Sequence, residues 1–155
     1  MKLSYNVKHM KVTNKKAYHD YQVLDNFEAG VVLTGGEAKA VRAGRVQLGA
    51  AYVKLMKGEV WLINAVIPEY EFARVKDYDP GRTRKLLLSK KEILKLSQKV
   101  ETKGVTLAPL SMYSKRGLVK VEVGLAKGRK EFEKREVTKR KDIEREMERD
   151  IFGNS

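Results

Sequence analysis

An alternation of apolar and polar residues with a period of two is the feature that most restricts how this chain can fold. Val119, Val121 and Val123 lie on one side of an extended segment, while Lys120 and Glu122 lie on the other. A period of two with β-branched residues is typical of an antiparallel strand that has one buried and one exposed face. This segment predicts a sheet with its core on one side.

Further strands are predicted in pairs along the first 126 residues. Residues 106–113 precede the alternating segment across a short connection that contains Gly117. Residues 50–56 and 59–67 form a second pair, joined at Lys57-Gly58. Residues 18–25 and 27–34 are interpreted as a third pair. Short connections of this kind, especially those containing glycine, favour hairpins.

Two helices are marked by capping boxes, in which Ser or Thr is followed three residues later by Glu. The first box is Thr34 with Glu37, and the second is Ser89 with Glu92. In such a box each side chain bonds the other residue's backbone amide at the start of the helix. The predicted helices therefore begin near residues 35 and 90.

About six strands with two or three flanking helices predict a mainly β fold. The architecture that we expect is a small antiparallel barrel resembling the oligonucleotide-binding (OB) fold, which closes sheet edges and leaves loops and one face for a ligand. An α+β sandwich is the alternative. We assign residues 1–126 to this domain.

The chain changes character at residues 127–155, which carry many charges and few apolar residues. Such a composition does not supply a core of its own. Isolated helices without tertiary packing are marginal in water. We therefore predict a flexible basic tail that is disordered when free and becomes helical on a partner.

The positive charge is large and concentrated. The 155 residues contain 33 Lys and Arg against 20 Asp and Glu, a formal net charge of +13. Three segments carry the excess, at residues 1–16, 81–103 and 127–141, whereas residues 142–155 are acidic. A clustered positive charge favours a nucleic-acid partner. An anionic membrane surface is the competing partner. Separately, no apolar run is long enough to span a bilayer. We expect a cytoplasmic protein.

Catalytic chemistry has little support in this sequence. It contains no cysteine and two histidines, which excludes thiolate chemistry and disfavours a histidine-rich metal site. Carboxylates such as Glu28 and Asp79 leave a magnesium-dependent nuclease open as an alternative, but their spacing does not select that role. We expect a protein that is not an enzyme and uses neither a metal nor a cofactor.

Binding chemistry is better supplied. Residues 14–21 interleave lysines with Tyr18 and Tyr21, a combination in which rings stack on RNA bases while cations neutralise phosphates. Arg42 and Arg45 flank the predicted end of the first helix. A basic loop before an apolar segment supplies Arg82, Arg84 and Lys85.

Six segments, in order along the chain, carry a resemblance to a known family. They are residues 14–21, 27–35, 41–45, 51–53, 79–88 and 125–130. With these segments the chain resembles the SmpB (small protein B) family of tmRNA-binding proteins. The resemblance implies an OB-like barrel that binds the tRNA-like domain of tmRNA and delivers this RNA to stalled ribosomes for trans-translation. It implies no catalytic residue, and we expect a monomer.

The resemblance, together with the basic loop, also assigns site residues. The predicted RNA-binding residues are Asn14, Lys15, Lys16, His19, Glu28, Arg42, Arg45, Arg82, Arg84, Lys85 and Leu88.

The tail is implied to enter the decoding centre of the small ribosomal subunit and the empty mRNA channel. Its predicted ribosome-binding residues are Lys127, Arg129, Lys130, Glu133, Lys134 and Arg135.

Overall fold

The computed structural model describes residues 11–152, in which strands account for most of the fold. The elements are β1 (Lys11–Thr13), α1 (Lys15–Asp20), β2 (Tyr21–Val31), α2 (Gly35–Arg42), β3 (Tyr52–Met56), β4 (Glu59–Ile63), β5 (Arg84–Leu87), α3 (Lys90–Val100), β6 (Val105–Lys115), β7 (Leu118–Gly128) and α4 (Glu131–Phe152).

Six of the strands form a closed ring of hydrogen-bonded neighbours. The order is β6, β3, β4, β5, β2 and β7, and β7 pairs again with β6. Every pairing is antiparallel, and β1 adds to β6 outside the ring. The interior contains fully buried Val60, Leu62, Leu86, Val121 and Val123. The predicted mainly β fold, built as a small antiparallel ring, is confirmed.

Two of the predicted hairpins are present, and each turns at a basic residue followed by glycine. Lys57 and Gly58 join β3 to β4 with φ angles of 51° and 74°, and Arg116 and Gly117 join β6 to β7 with 52° and 77°. Two successive positive φ angles match the twist of the flanking strands, and glycine adopts them without steric cost.

The third predicted hairpin, residues 18–25 with 27–34, is wrong. Residues 15–20 form helix α1, and β2 then runs without a turn through Asp25 and Asn26. The register against β7 shifts between Val23 and Asp25, so Leu24 is the extra residue of a β-bulge. The adjacent polar residues Asp25 and Asn26 therefore mark a bulge in one long strand instead of a reversal of the chain.

Both predicted capping boxes are confirmed. The Thr34 hydroxyl accepts from the Glu37 amide at the start of α2, and Ser89 accepts from the Glu92 amide at the start of α3. In both helices the glutamate also accepts the backbone N–H of its capping residue. The described residues contain four helices. Three flank the ring, within the predicted two or three, and the fourth, α4, lies in the predicted tail; α1 and α4 begin without a capping box.

The C-terminal segment forms a helix of 22 residues, α4, after β7 ends at Gly128. The prediction that residues 127–155 are disordered when free stays a prediction. Most of the predicted basic segment 1–16 lies outside the described residues.

Candidate nucleic-acid interface

Helix α1 is fixed against the ring by the side chain of Asn14. Its Oδ1 accepts the Ala17 amide at 3.2 Å, which caps the helix. Its Nδ2 donates to the carbonyl oxygens of Leu48 and Pro109 at 3.1 and 2.9 Å. Asn14 is 5% exposed, so its polar atoms are already used inside the protein. The structure gives it a positioning role in place of the predicted RNA contact.

The same helix presents two lysines to solvent. Ala17 packs against Ala108 and Leu110 in a small apolar cluster separate from the main core, while Lys15 and Lys16 are exposed. One side of α1 is therefore attached to the sheet and the other carries cations.

A cleft of about 430 Å³ lies between α1 and strands β3 and β6. Lys16 and Tyr21 line it from one side and Tyr52 from the other, and Tyr52 is 44% exposed. A cation beside accessible rings is suited to phosphate contact with base stacking. Sequence reasoning did not select Tyr52, although it lies in one of the segments that carry the resemblance.

Glu28 lies on β2 beside Tyr113 and Lys115 of β6. The Tyr113 hydroxyl donates to Oε2 of Glu28, and Lys115 Nζ lies 3.3 Å from Oε1. The hydrogen bond from Tyr113, then that from Lys115, lowers the pKa of Glu28. Burial of the Tyr113 hydroxyl, and then its hydrogen bond to the Glu28 carboxylate, raise the pKa of Tyr113. Glu28 is thus held ionised. An ionised carboxylate is suited to accepting hydrogen bonds from ribose hydroxyls or base N–H groups, and it repels phosphates.

The surface between Glu28 and α1 is also polar, and its side chains bond one another. Glu122, the cross-strand partner of Glu28, accepts from Asn26 Nδ2 at 2.8 Å and from the Ser111 hydroxyl at 2.9 Å. The Lys11 ammonium lies 5.9 Å from the Tyr113 ring centre. We call this surface, which runs over β1, β6, β7 and β2 from α1 to Glu28, the α1 face. Both α1, through Ala17, and Glu28, through its bond with Tyr113, contact side chains of β6.

The predicted RNA contact at Arg84 is wrong. Arg84 is fully buried and donates from Nε and Nη2 to Oε2 of Glu37, at 2.8 and 2.6 Å. It also donates to the carbonyl oxygens of Ala65 and Pro80. The strand that carries Arg84 turns this side chain inward, where the Glu37 carboxylate balances its charge.

Arg82 belongs to the same ion-pair cluster, with its Nη2 at 2.5 Å from Oε1 of Glu37. Burial alone would raise the pKa of Glu37. The hydrogen bonds from Arg82, the Thr34 amide and Arg84 outweigh that effect and lower the pKa from 4.5 to about 2. The Tyr78 hydroxyl donates to the Ile67 carbonyl at 2.6 Å. These bonds fasten the segment between β4 and β5 to the start of α2.

The remaining predicted RNA-binding residues belong to other parts of the chain than α1. Arg42 donates to the Gly117 carbonyl at 2.6 Å, which joins the end of α2 to the β6–β7 turn. Lys85 pairs with Glu59 at 3.4 Å. Arg45 is exposed. Leu88 packs against the main core.

Helix α4 begins against α1. The Arg129 amide donates to the Asp20 carbonyl at 2.8 Å, and its Nε donates to the Tyr21 carbonyl at 3.2 Å. His19 Nε2 lies 3.1 Å from Thr138 Oγ1, and Lys134 Nζ lies 3.9 Å from Asp20 Oδ1. The tail helix is therefore anchored at the edge of the α1 face.

The predicted tail residues differ in exposure. Lys127 is still within β7. The exposed members of the set are Lys127, Lys130 and Arg135, and the half-buried members are Arg129, Glu133 and Lys134.

The carboxylates considered for an enzyme have structural partners. Asp79 accepts the Gly81 amide at 3.0 Å in a turn, and Glu28 is engaged by Tyr113. Within residues 11–152 the structure shows no group of three or more His, Asp or Glu side chains placed to hold a metal ion. None of the helices in this range is both long and apolar enough to cross a bilayer.

Comparison with known proteins gives consistent matches. The model of the SmpB protein family matches residues 11–152. An SsrA-binding protein of Sulfurihydrogenibium sp. (strain YO3AOP1) is 52% identical over 141 residues, 91% of this chain and 93% of that protein. An SsrA-binding protein of Streptococcus thermophilus (strain CNRZ 1066) is 50% identical over 138 residues, 89% of this chain and 90% of that protein.

A solved structure described as "tmRNA-SmpB: a journey to the center of the bacterial ribosome" is also similar. It matches with a TM-score of 0.65 and 44% identity, and the match covers 78% of this chain and 85% of that chain. These comparisons agree with the resemblance found in the sequence. The family model covers most of the chain, the relatives are about half identical over nearly their full length, and a solved relative has the same fold. The chain belongs to the SmpB family.

Proposed function

We propose that this protein is a non-catalytic tmRNA-binding factor that works with its RNA on stalled ribosomes. The relatives are named for binding SsrA RNA, and the similar solved structure is described on the bacterial ribosome. The observation that carries the proposal is the α1 face, where Lys15 and Lys16 are exposed and Glu28 is held by Tyr113 and Lys115.

The chemistry of this face suits a folded RNA. The lysines neutralise phosphates, while Glu28 accepts from 2′-hydroxyls or base N–H groups, which distinguish one part of an RNA from another. Tyr52 and Tyr21 offer rings beside Lys16 in the adjoining cleft. Arg45 and Arg82 remain candidates for further contacts. The tRNA-like domain of tmRNA is the target that the resemblance implies.

The second part of the proposal concerns α4. The basic segment 127–141 begins at the end of β7, and within α4 it stays in contact with α1 as far as Thr138. We assign this part to the decoding centre and the mRNA channel of the small subunit. Cationic side chains at Lys127, Lys130 and Arg135 suit the phosphates of ribosomal RNA there.

The RNA-binding half is tested by a matched pair of variants. Lys15→Ala/Lys16→Ala removes two cations from the first turn of α1, and Lys90→Ala/Lys91→Ala removes two from the first turn of α3. Both lower the net charge equally. We expect the α1 variant to weaken binding of the tRNA-like domain at least 10-fold and to reduce the slope of log K against log salt by about 1.4–1.8. Equal losses in both variants would argue for non-specific attraction.

The ribosomal half is tested by deleting residues 131–155. Affinity for the isolated RNA should change less than 3-fold, whereas peptide tagging on stalled ribosomes should be lost. A truncated protein that no longer binds RNA would contradict this division of function.

A further inference from the structure

The second half of α4 has a charge opposite to that of the rest of the tail. Residues 127–141 carry eight Lys and Arg against three Glu, whereas residues 142–152 carry two Arg against five carboxylates. RNA binding explains the first half but not the second, because carboxylates repel phosphates.

An apolar stripe runs along this acidic half. Ile143, Met147 and Ile151 are spaced four residues apart, and their exposures are 43%, 59% and 69%. At about 100° per residue they cover roughly 80° of the helix surface. A helix of polar residues without tertiary packing is marginal in water. Burial of this apolar stripe against a partner would therefore add most to the stability of the helix.

The charges around the stripe are sorted by side. By helical geometry Glu144 and Glu148 lie on one side of Met147, and Glu146 and Asp150 lie on the other, about 60–100° away. Arg145 and Arg149 lie about 160° from Met147, on the opposite face of the helix. The surface that carries the stripe is thus apolar at its centre and acidic at both margins.

We propose that residues 142–151 dock through this face on a positively charged protein surface of the ribosome that contains an apolar groove. The inference rests on the ribosomal role proposed above. Charge complementarity selects the partner, since acidic margins match Lys and Arg side chains and oppose phosphates. An anionic lipid surface is disfavoured for the same reason. Apolar anchors on an amphipathic helix are typical of binding in a groove.

Charge reversal separates a protein partner from RNA by the sign of its effect. The variant Glu144→Lys/Glu148→Lys should weaken binding of the full-length protein to ribosomes about 10-fold if the partner is a basic protein. It should strengthen binding if the partner is RNA, which would overturn the inference. Arg145→Ala/Arg149→Ala on the opposite face serves as the control and should stay within about 2-fold. Circular dichroism checks that helix content is unchanged.

Photocrosslinking identifies the partner directly. A benzophenone amino acid is placed at Met147 in one variant and at Phe132, in the basic half, in another. We expect Met147 to crosslink to a small-subunit protein. Crosslinks from Met147 only to ribosomal RNA or to a second copy of this chain, or none while Phe132 crosslinks, would overturn the inference but leave the proposed function intact. Absence of crosslinks from both positions would overturn the ribosomal role itself.

Discussion

Arg84 and Glu37 form a buried ion pair between strand β5 and the first turn of α2. The two donating nitrogens of Arg84 lie 2.8 and 2.6 Å from one carboxylate oxygen, and the two side chains are 0% and 1% exposed. Arg82 holds the other oxygen. A single carboxylate therefore completes a helix cap and balances two guanidinium groups.

Replacing this carboxylate should be costly. Glu37→Gln keeps the shape and the capping geometry but leaves the Arg84 charge buried without a counter-ion. We expect a loss of about 3 kcal/mol in the free energy of unfolding, measured by urea denaturation. Glu92→Gln is the matched control, because Glu92 occupies the same position in the exposed capping box of α3, and it should lose less than about 1 kcal/mol. Similar losses in both variants would show that the ion pair contributes little.

The Glu37 carboxylate makes the free energy of unfolding depend on pH. The folded-state pKa of Glu37 is about 2, below its usual 4.5, so its contribution is fully present above about pH 4.5 and is lost as the pH falls toward 2. The full contribution is roughly 3 kcal/mol. The wild-type protein should therefore lose more stability than Glu37→Gln between pH 4.5 and 2. Parallel stability curves would refute this assignment.

Gly124 leaves room for Leu110 where β7 pairs with β6. A Cβ atom added at Gly124 would lie 2.7–3.0 Å from the three outer carbons of Leu110, which is fully buried. Gly124→Ala should lower the free energy of unfolding by about 1–3 kcal/mol. Gly128→Ala, on the same strand with open space around its Cβ, should change it by less than about 0.5 kcal/mol. Equal melting temperatures for the two variants would contradict the packing described.

Tyr113 should affect RNA affinity through its hydrogen bond to Glu28. Tyr113→Phe removes the hydroxyl that donates to Glu28, so the pKa of Glu28 should rise, as followed by carboxyl NMR titration. RNA affinity should fall about 3–10-fold, which corresponds to the roughly 0.5–1.5 kcal/mol of one ordinary hydrogen bond. In a Glu28→Gln background the same change should have less effect, and Tyr52→Phe should leave the Glu28 titration unaltered. An unchanged Glu28 pKa would remove the basis for this coupling.

Features determined by residues close together in the chain could be predicted. Thr34 with Glu37 and Ser89 with Glu92 are three residues apart, and the hairpins at Gly58 and Gly117 need only a turn and alternating neighbours. Each contains its own physical signal, so the helix starts and the two hairpins followed from the sequence.

Features that depend on distant contacts could not be predicted in this way. The local sequence groups Arg84 with its basic neighbours, although its partner Glu37 lies 47 residues away and makes Arg84 a core residue. The bulge at Leu24 imitates a turn because its polar neighbours have the same local composition, and only the long pairing with β7 shows one strand. The Tyr113–Glu28 contact spans 85 residues and has no local signature.

The anchoring of Arg129 to the carbonyls of Asp20 and Tyr21 has a mechanical consequence. At about 1.5 Å per residue, the 22 residues of α4 make a rod about 33 Å long. Its first turns are held against α1, the helix that carries Lys15 and Lys16. Under the proposed function, α4 then sets a fixed distance and direction between the tmRNA-binding surface and the part of the ribosome that the tail contacts. One residue inserted after Lys130 would lengthen the helix by only about 1.5 Å. It would, however, rotate every later side chain by about 100° around the helix axis, and so change which face meets the ribosome.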